Sequence, residues 1–157
     1  MARISLWLFV IVLGLDIGAG LYESRIVVPL WANGVPATLA AGNPFARVAI
    51  DAGVRFWAYM TTAVAILAVA ALIFGLRTQP PQRTWQTVAT VAELVAVAMT
   101  LLYFRPTLIR LFMGHGAGLS TEAIESTVQI WVRLSFVRIA LSFGAWCVAL
   151  RALALSH

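Results

Sequence analysis

Between Arg55 and Arg77 the chain reads FWAYMTTAVAILAVAALIFGL, an apolar run without a single charged residue. About 20 such residues in helical form, rising about 1.5 Å each, cross the ~30 Å hydrocarbon core of a bilayer. Three further stretches share this character. Residues 4–31 are broken only by Asp16, Glu23 and Arg25. Residues 84–104 lie between Arg83 and Arg105 and carry Glu93. Residues 129–150 carry Arg133 and Arg138. In hydrocarbon no other open structure satisfies its own backbone, so each stretch is expected to be a helix. The fold class that follows is all-α, an integral membrane four-helix antiparallel bundle in a single domain. Its helices are expected at about 4–31, 56–76, 84–104 and 121–152.

Composition removes the competing classes. Of 157 residues 62% are apolar and 11% charged, whereas a soluble domain needs about a quarter charged to cover its surface. With Gly 11, Pro 6 and Cys 1, disordered, collagen-like and disulfide-framed chains fall away too. The eleven basic residues are all Arg and are scattered, so no basic tract exists to track a phosphate backbone and no nucleic-acid partner is expected. Cys147 stands alone in an apolar run and implies no disulfide. Arg3, the apolar core 4–15 and Gly18-Ala19-Gly20 imitate a signal peptide. Asp16 just past the core, and the second apolar run IVVPLW, argue instead for a retained membrane helix that kinks or stops at Pro29.

Aromatic placement agrees with four alternating helices. Trp and Tyr favour the headgroup level. Alternation sends Trp7, Trp85 and Trp146 to one face and Trp31, Trp57, Trp131 and Tyr103 to the other. Residues 77–83 (RTQPPQR) form a short polar turn. Residues 32–54, rich in Ala, Gly and Pro, are expected as a loop over the bundle mouth. Residues 113–120 make a flexible turn, with Ser120 as N-cap and Glu122 in the favourable first turn of the last helix. Arg3, Arg77, Arg83 and Arg151 gather at the face holding both termini, which places the termini in the cytoplasm of a multi-pass cell-membrane protein.

Charge inside hydrocarbon is costly, so these ionisable residues are expected to face the bundle interior and find partners. Asp16, Ala19, Gly20 and Glu23 share one face of the first helix, and Ala89, Glu93, Ala96 and Thr100 one face of the third. Trp131, Ser135, Arg138, Ser142 and Ala145 share one face of the fourth, and Ala58, Thr62 and Ala65 more weakly one face of the second. Counted from the Trp31/Trp131 belt, Glu23 and Arg138 lie at about the same depth, roughly 10–12 Å, and are expected to pair with Arg25 nearby. Glu93 and Asp16 lie deeper. The pattern predicts a pocket open towards that belt. Glu23, Glu93 and Arg138 are the candidate catalytic groups, and Asp16, Arg25, Trp131, Ser135 and Arg105 the candidate ligand contacts. A purely structural role, Glu23 and Arg138 locking the first helix to the fourth, accounts for the same residues. Gly14-Leu-Asp-Ile-Gly18 matches a small-residue helix-contact pattern. His115 has no second His at helical spacing, and there is no Cys cluster, so neither a metal site nor a cofactor is expected from this chain.

Gly20-Leu-Tyr-Glu23, Val28-Pro-Leu-Trp31, the Pro106 after Tyr103-Phe-Arg, and Trp131 seven residues before Arg138 carry a resemblance. With these features the chain resembles a family of small four-span membrane proteins that includes fungal anthrone oxygenases and many bacterial members. The resemblance implies an apolar phenolic or carbonyl substrate. Glu23 or Glu93 would remove a proton from it, Arg138 and Arg25 would stabilise the oxyanion, and the carbanion would react with dioxygen without a cofactor. Ser135 departs from the family pattern, which has a polar amide between Trp131 and Arg138. From the residues alone two other classes stay open beside an enzyme. One is an accessory subunit of a larger membrane complex, or a homo-oligomer, docking through the Ala-rich second helix. The other is a small proton-linked transporter using Glu93.

Overall fold

The computed structural model describes residues 1–39, 44–112 and 118–156, with the helical backbone alone at 44–47, 49 and 50. His115 and most of the 113–120 turn lie outside the described residues. Among the described residues there is no strand. Four long helices dominate: α1 (Ala2–Ala32), α2 (Pro44–Gly75), α3 (Gln82–Phe112) and α4 (Thr121–Ala154). Each contains a stretch long and apolar enough to cross a membrane. Every helix packs chiefly on two neighbours, in the cyclic order α1–α2–α3–α4.

Two apolar clusters hold the helices together. In the half that contains the termini, Leu6, Phe9, Leu13 and Ile17 recur every three or four residues along α1. They meet Ala68 and Ala71 of α2, Ala89 of α3 and Ala145, Ala149 and Ala152 of α4. Large side chains on one helix against alanines on three let backbones approach closely, the packing mode available where lipid is as apolar as the core. At the opposite end Trp31, Phe104 and Trp131 pack edge to face, with ring centroids 5.5–5.7 Å apart. Side chains also bond to backbone carbonyls of neighbouring helices. Gln86 Nε2 donates to Ala71 O at 2.7 Å, Trp146 Nε1 to Val10 O at 3.1 Å and Trp131 Nε1 to Phe104 O at 3.3 Å.

Neither proline ends its helix. α1 passes through a π-helical turn at Glu23–Val27 and α3 through another at Thr100–Phe104, each closing two residues before Pro29 or Pro106. A proline lacks the N–H for the carbonyl four residues back and its ring presses on it. Widening the preceding turn accommodates that defect while the rod continues. So α1 does not stop at Pro29, and α3 runs past the expected end near residue 104 to Phe112.

The expected 32–54 loop is much shorter in the structure. A 3-10 turn at Ala37–Leu39 follows α1, and α2 already begins at Pro44. The signal was present: Pro suits a first helical turn, and Arg47, Asp51 and Arg55 follow at helical steps of four with alternating sign. At the last helix the expectation holds, since Ser120 Oγ accepts from the Ala123 N–H at 3.3 Å.

The two halves of the chain repeat each other. A kinked helix followed by a straight one occurs twice, and the landmarks stand 77 residues apart: Pro29 and Pro106, the π turns starting at Glu23 and Thr100, and the acids Asp16 and Glu93. The buried positions Phe9, Leu13 and Gly20 map in the same way onto the buried Gln86, Thr90 and Val97, and Ala68 and Gly75 onto Ala145 and Ala152. With α1 opposite α3 and α2 opposite α4, the bundle has a pseudo-twofold axis along its length.

Candidate functional site

On that axis, between the two apolar clusters, lies a polar layer fed by all four helices. Asp16 of α1 and Glu93 of α3 line it from opposite sides, and so do Thr61 of α2 and Arg138 of α4. Both pairs are 77 residues apart, so the layer is made from equivalent positions of the two halves. Ser142 and Thr100 complete its polar wall, Val64, Ala96 and Val97 its apolar wall. The cavity they enclose measures ≈ 10 Å³, about the space one water occupies.

Arg138 is the hub. Its Nη1 donates to Thr100 Oγ1 at 3.1 Å, and its guanidinium lies 5.2 Å from the ring centres of both Trp57 and Phe104. The π turn sets up half of this, since it carries Thr100 at its start and Phe104 at its end. Asp16, Glu23 and Glu93 are all attracted to Arg138 electrostatically. Among the described residues, however, no carboxylate comes within 4.0 Å of it. The predicted direct Glu23–Arg138 pair is therefore replaced by one guanidinium held between two aromatic rings, with three acids around it. Glu93 is only 2% exposed. Its Oε2 and the Nε of Arg138 are buried without a hydrogen-bond partner, while the Ser142 hydroxyl faces the Glu93 carboxyl group.

Glu23 stands beside this layer, towards the Trp31/Trp131 end. Its carboxylate faces the Trp57 indole and lies against Gly53, where an added β-carbon would sit 3.6 Å from Oε1. Trp57 is thus a site residue, on the side of the layer towards the Trp31/Trp131 end. Trp57 lies six residues inside the candidate span Asp51–Gly75 and reaches Glu23, Gly20 and Arg138.

Of the eight residues singled out by sequence, Asp16, Glu93 and Arg138 line the cavity and Glu23 adjoins it. Four lie elsewhere. Arg25 is exposed and stacks on Phe136 at 5.2 Å; two residues beyond Glu23, it falls on the other side of α1. Arg105 is also exposed, one residue beyond the other π turn. Trp131 is buried in the aromatic cluster with its N–H committed to Phe104. Ser135 donates to Trp131 O within its own helix at 2.9 Å. On α2 the polar position facing inward is Thr61; Thr62 is exposed and bonded to Ala58 O. The buried stripe Val64, Ala68 and Ala71, continued one turn back, leads to Thr61. Of the Gly14–Gly18 pattern, Gly14 packs against Trp146 and Gly18 meets nothing within 4 Å. Among the described residues no three of His, Cys, Asp and Glu are grouped to hold a metal ion.

No protein-family profile matches the chain, and no curated protein and no solved structure is detectably similar to it.

Proposed function

We propose that this chain is a multi-pass protein of a cell membrane, with cytoplasmic termini, and that it exchanges protons at its central carboxyl groups as a small proton-linked transporter. The observation that carries this reading is the charge ratio in and beside the polar layer: one guanidinium for Asp16 and Glu93 within it and Glu23 next to it. Each uncompensated ion costs several kcal/mol away from water. Protons on the surplus acids bring such a layer back towards neutrality. Asp16 and Glu93 then behave as a coupled pair, the charge on one opposing the charge on the other, so that their protons leave in two separate steps. The ≈ 10 Å³ cavity lined by Asp16, Glu93 and Arg138 has room for one water, and Glu93 Oε2 and Arg138 Nε are without a hydrogen-bond partner. Glu23, about 10 Å along α1 from Asp16, offers a stepping point towards the Trp31/Trp131 end.

The enzymatic reading has its own support. An unpartnered carboxylate oxygen beside an unpartnered guanidinium N–H is also the pairing of a general base with an oxyanion donor. It goes with the resemblance to the family that includes anthrone oxygenases. It requires Trp57 or Phe104 to swing off Arg138, because a cavity of one water's volume admits no phenolic ring.

Vesicles containing the purified chain and an entrapped pH dye, held at an inside-negative potential, test the two readings. Faster lumenal acidification than in protein-free vesicles is expected, returning to the protein-free rate with Glu93→Gln. Equal rates for wild type and Glu93→Gln overturn the transport reading. Dioxygen uptake with an anthrone, lost in Glu93→Gln and Arg138→Ala, establishes the enzyme in its place.

A further inference from the structure

The two ends of the bundle offer the central acids very different surroundings. Towards the end that holds the termini, residues 1–15, 62–92 and 139–157 contain no acid. That half is filled by the cluster in which Leu6, Phe9, Leu13, Ala68, Ala71 and Ala89 are wholly buried. A close-packed apolar cluster holds no chain of water, because each water needs polar partners. The buried Gln86 and Thr90 in this half donate to backbone carbonyls, Gln86 to Ala71 O and Thr90 to Gln86 O.

Towards the other end the layer is covered by the two rings on Arg138, and they are held unequally. Phe104 is buried, packs edge to face on Trp131 at 5.5 Å and Tyr103 at 5.3 Å, and its carbonyl accepts the Trp131 N–H. Trp57 is half-buried, and its one aromatic neighbour, Phe56 at 5.1 Å, is itself exposed. Its indole faces the Glu23 carboxyl group and borders Gly20, which presents no side chain to hold it. Asp16, Glu23, Trp57 and Thr61, all on α1 and α2, are half-buried. On α3 and α4, Glu93, Ala96, Val97 and Ser142 are buried. The layer is therefore tight on one side and loosely closed on the other, with Trp57 next to the acid beyond it. At the equivalent places of the second half stand Leu134 for Trp57 and Thr100 for Glu23, so this combination belongs to the first half alone.

We infer that the central acids are reached from the Trp31/Trp131 end alone, past Glu23, and that Trp57 is the gate on this route. With its ring on Arg138 the layer is shut; with the ring turned away, Glu23 and the layer share one aqueous space. The gate rests on the proton-exchange reading for its purpose, but its test reads access to Glu93 and not transport.

The full chain in mild detergent is treated with a water-soluble carbodiimide and glycine ethyl ester, and the modified carboxyl groups are located by peptide mass spectrometry. In the wild type Glu23 is expected to be modified and Glu93 spared. Trp57→Ala should lose the sparing of Glu93, and so should the milder Trp57→Leu, which places there the residue found at position 134. Trp57→Phe keeps a ring over Arg138 and should restore it. Leu13→Ala removes a large buried side chain one turn from Asp16 on the opposite side, and Glu93 should stay spared. Modification of Glu93 in the wild type overturns the inference, as does its sparing in both Trp57→Ala and Trp57→Leu. Equal modification of Glu93 in Leu13→Ala and Trp57→Ala overturns it too, since access would then come from either end. Access controlled by Trp57 in a chain that moves no protons into vesicles would keep the gate and discard the transport reading.

Discussion

Arg138 is where a single side chain decides the most. It sits between two aromatic rings, donates to Thr100 and is the one cation attracting three buried or half-buried acids. Removing one partner from a buried charge cluster typically costs about 3–5 kcal/mol, because the remaining charges lose compensation. Arg138→Ala is therefore expected to destabilise the protein by about that amount in thermal or denaturant unfolding in detergent. Arg138→Lys should fall between, since it keeps the charge but lacks the planar fork that stacks on Trp57 and Phe104 while reaching Thr100. Adding Glu93→Gln to Arg138→Ala should recover part of the loss, because an amide no longer needs the cation. A double substitution no better than Arg138→Ala alone would show that Glu93 and Arg138 are not coupled.

At the level of elements, α2 and α3 are joined by a fit between Gly75 and Gln86. A β-carbon at Gly75 would lie 2.7 Å from Gln86 Cδ and 2.8 Å from its Nε2. Gln86 is wholly buried and pinned through Nε2 to Ala71 O, so it cannot yield without breaking that bond. Gly75→Ala gains up to about 1 kcal/mol of helix propensity. Overpacking of a buried contact costs about 1–3 kcal/mol, and breaking the bond adds to it, so net destabilisation is expected. Unfolding of Gly75→Ala, Gln86→Ala and the double variant reads this directly: the two changes should be less than additive, since either one already breaks the fit. The π turns show the same dependence of chemistry on element geometry. Thr100 and Phe104, at the start and end of the turn before Pro106, stand one turn apart on one face of α3 and both meet Arg138.

The whole molecule is two helical hairpins sharing one polar layer. Equivalence of the halves makes Thr61 the counterpart of Arg138 across the pseudo-twofold axis, with Asp16 and Glu93 exchanging places in the same way. A cation supplied from the other half should therefore reach the same acids. Arg138→Thr is expected to unfold at lower temperature than the wild type, and Thr61→Arg added to it should restore much of the difference. Further destabilisation by the second change would mean that the halves are not interchangeable at this layer. Much of this arrangement was legible beforehand: four apolar runs, and acids on the inward stripes at Asp16, Glu23 and Glu93. Thr61, Trp57 and Phe104 were not singled out, although Thr61 continues the stripe of Val64, Ala68 and Ala71 and Phe104 that of Glu93 and Thr100; which side chain each meets is a matter of packing between helices.

Hydropathy and helical period act locally along the chain. For that reason the amino-acid sequence alone determined that the described fold is helical, that four helices are apolar enough to cross a membrane, and that Asp16, Glu93 and Arg138 turn inward. Tertiary packing decided how close those groups come. Whether Arg138 meets a carboxylate or two rings, and whether the cavity has room for one water or a larger molecule, depend on the separation and rotation of neighbouring helices. Those distances are set by side chains far apart in the sequence, Gly75 against Gln86 and Gly14 against Trp146, and by two π turns that re-aim everything beyond them.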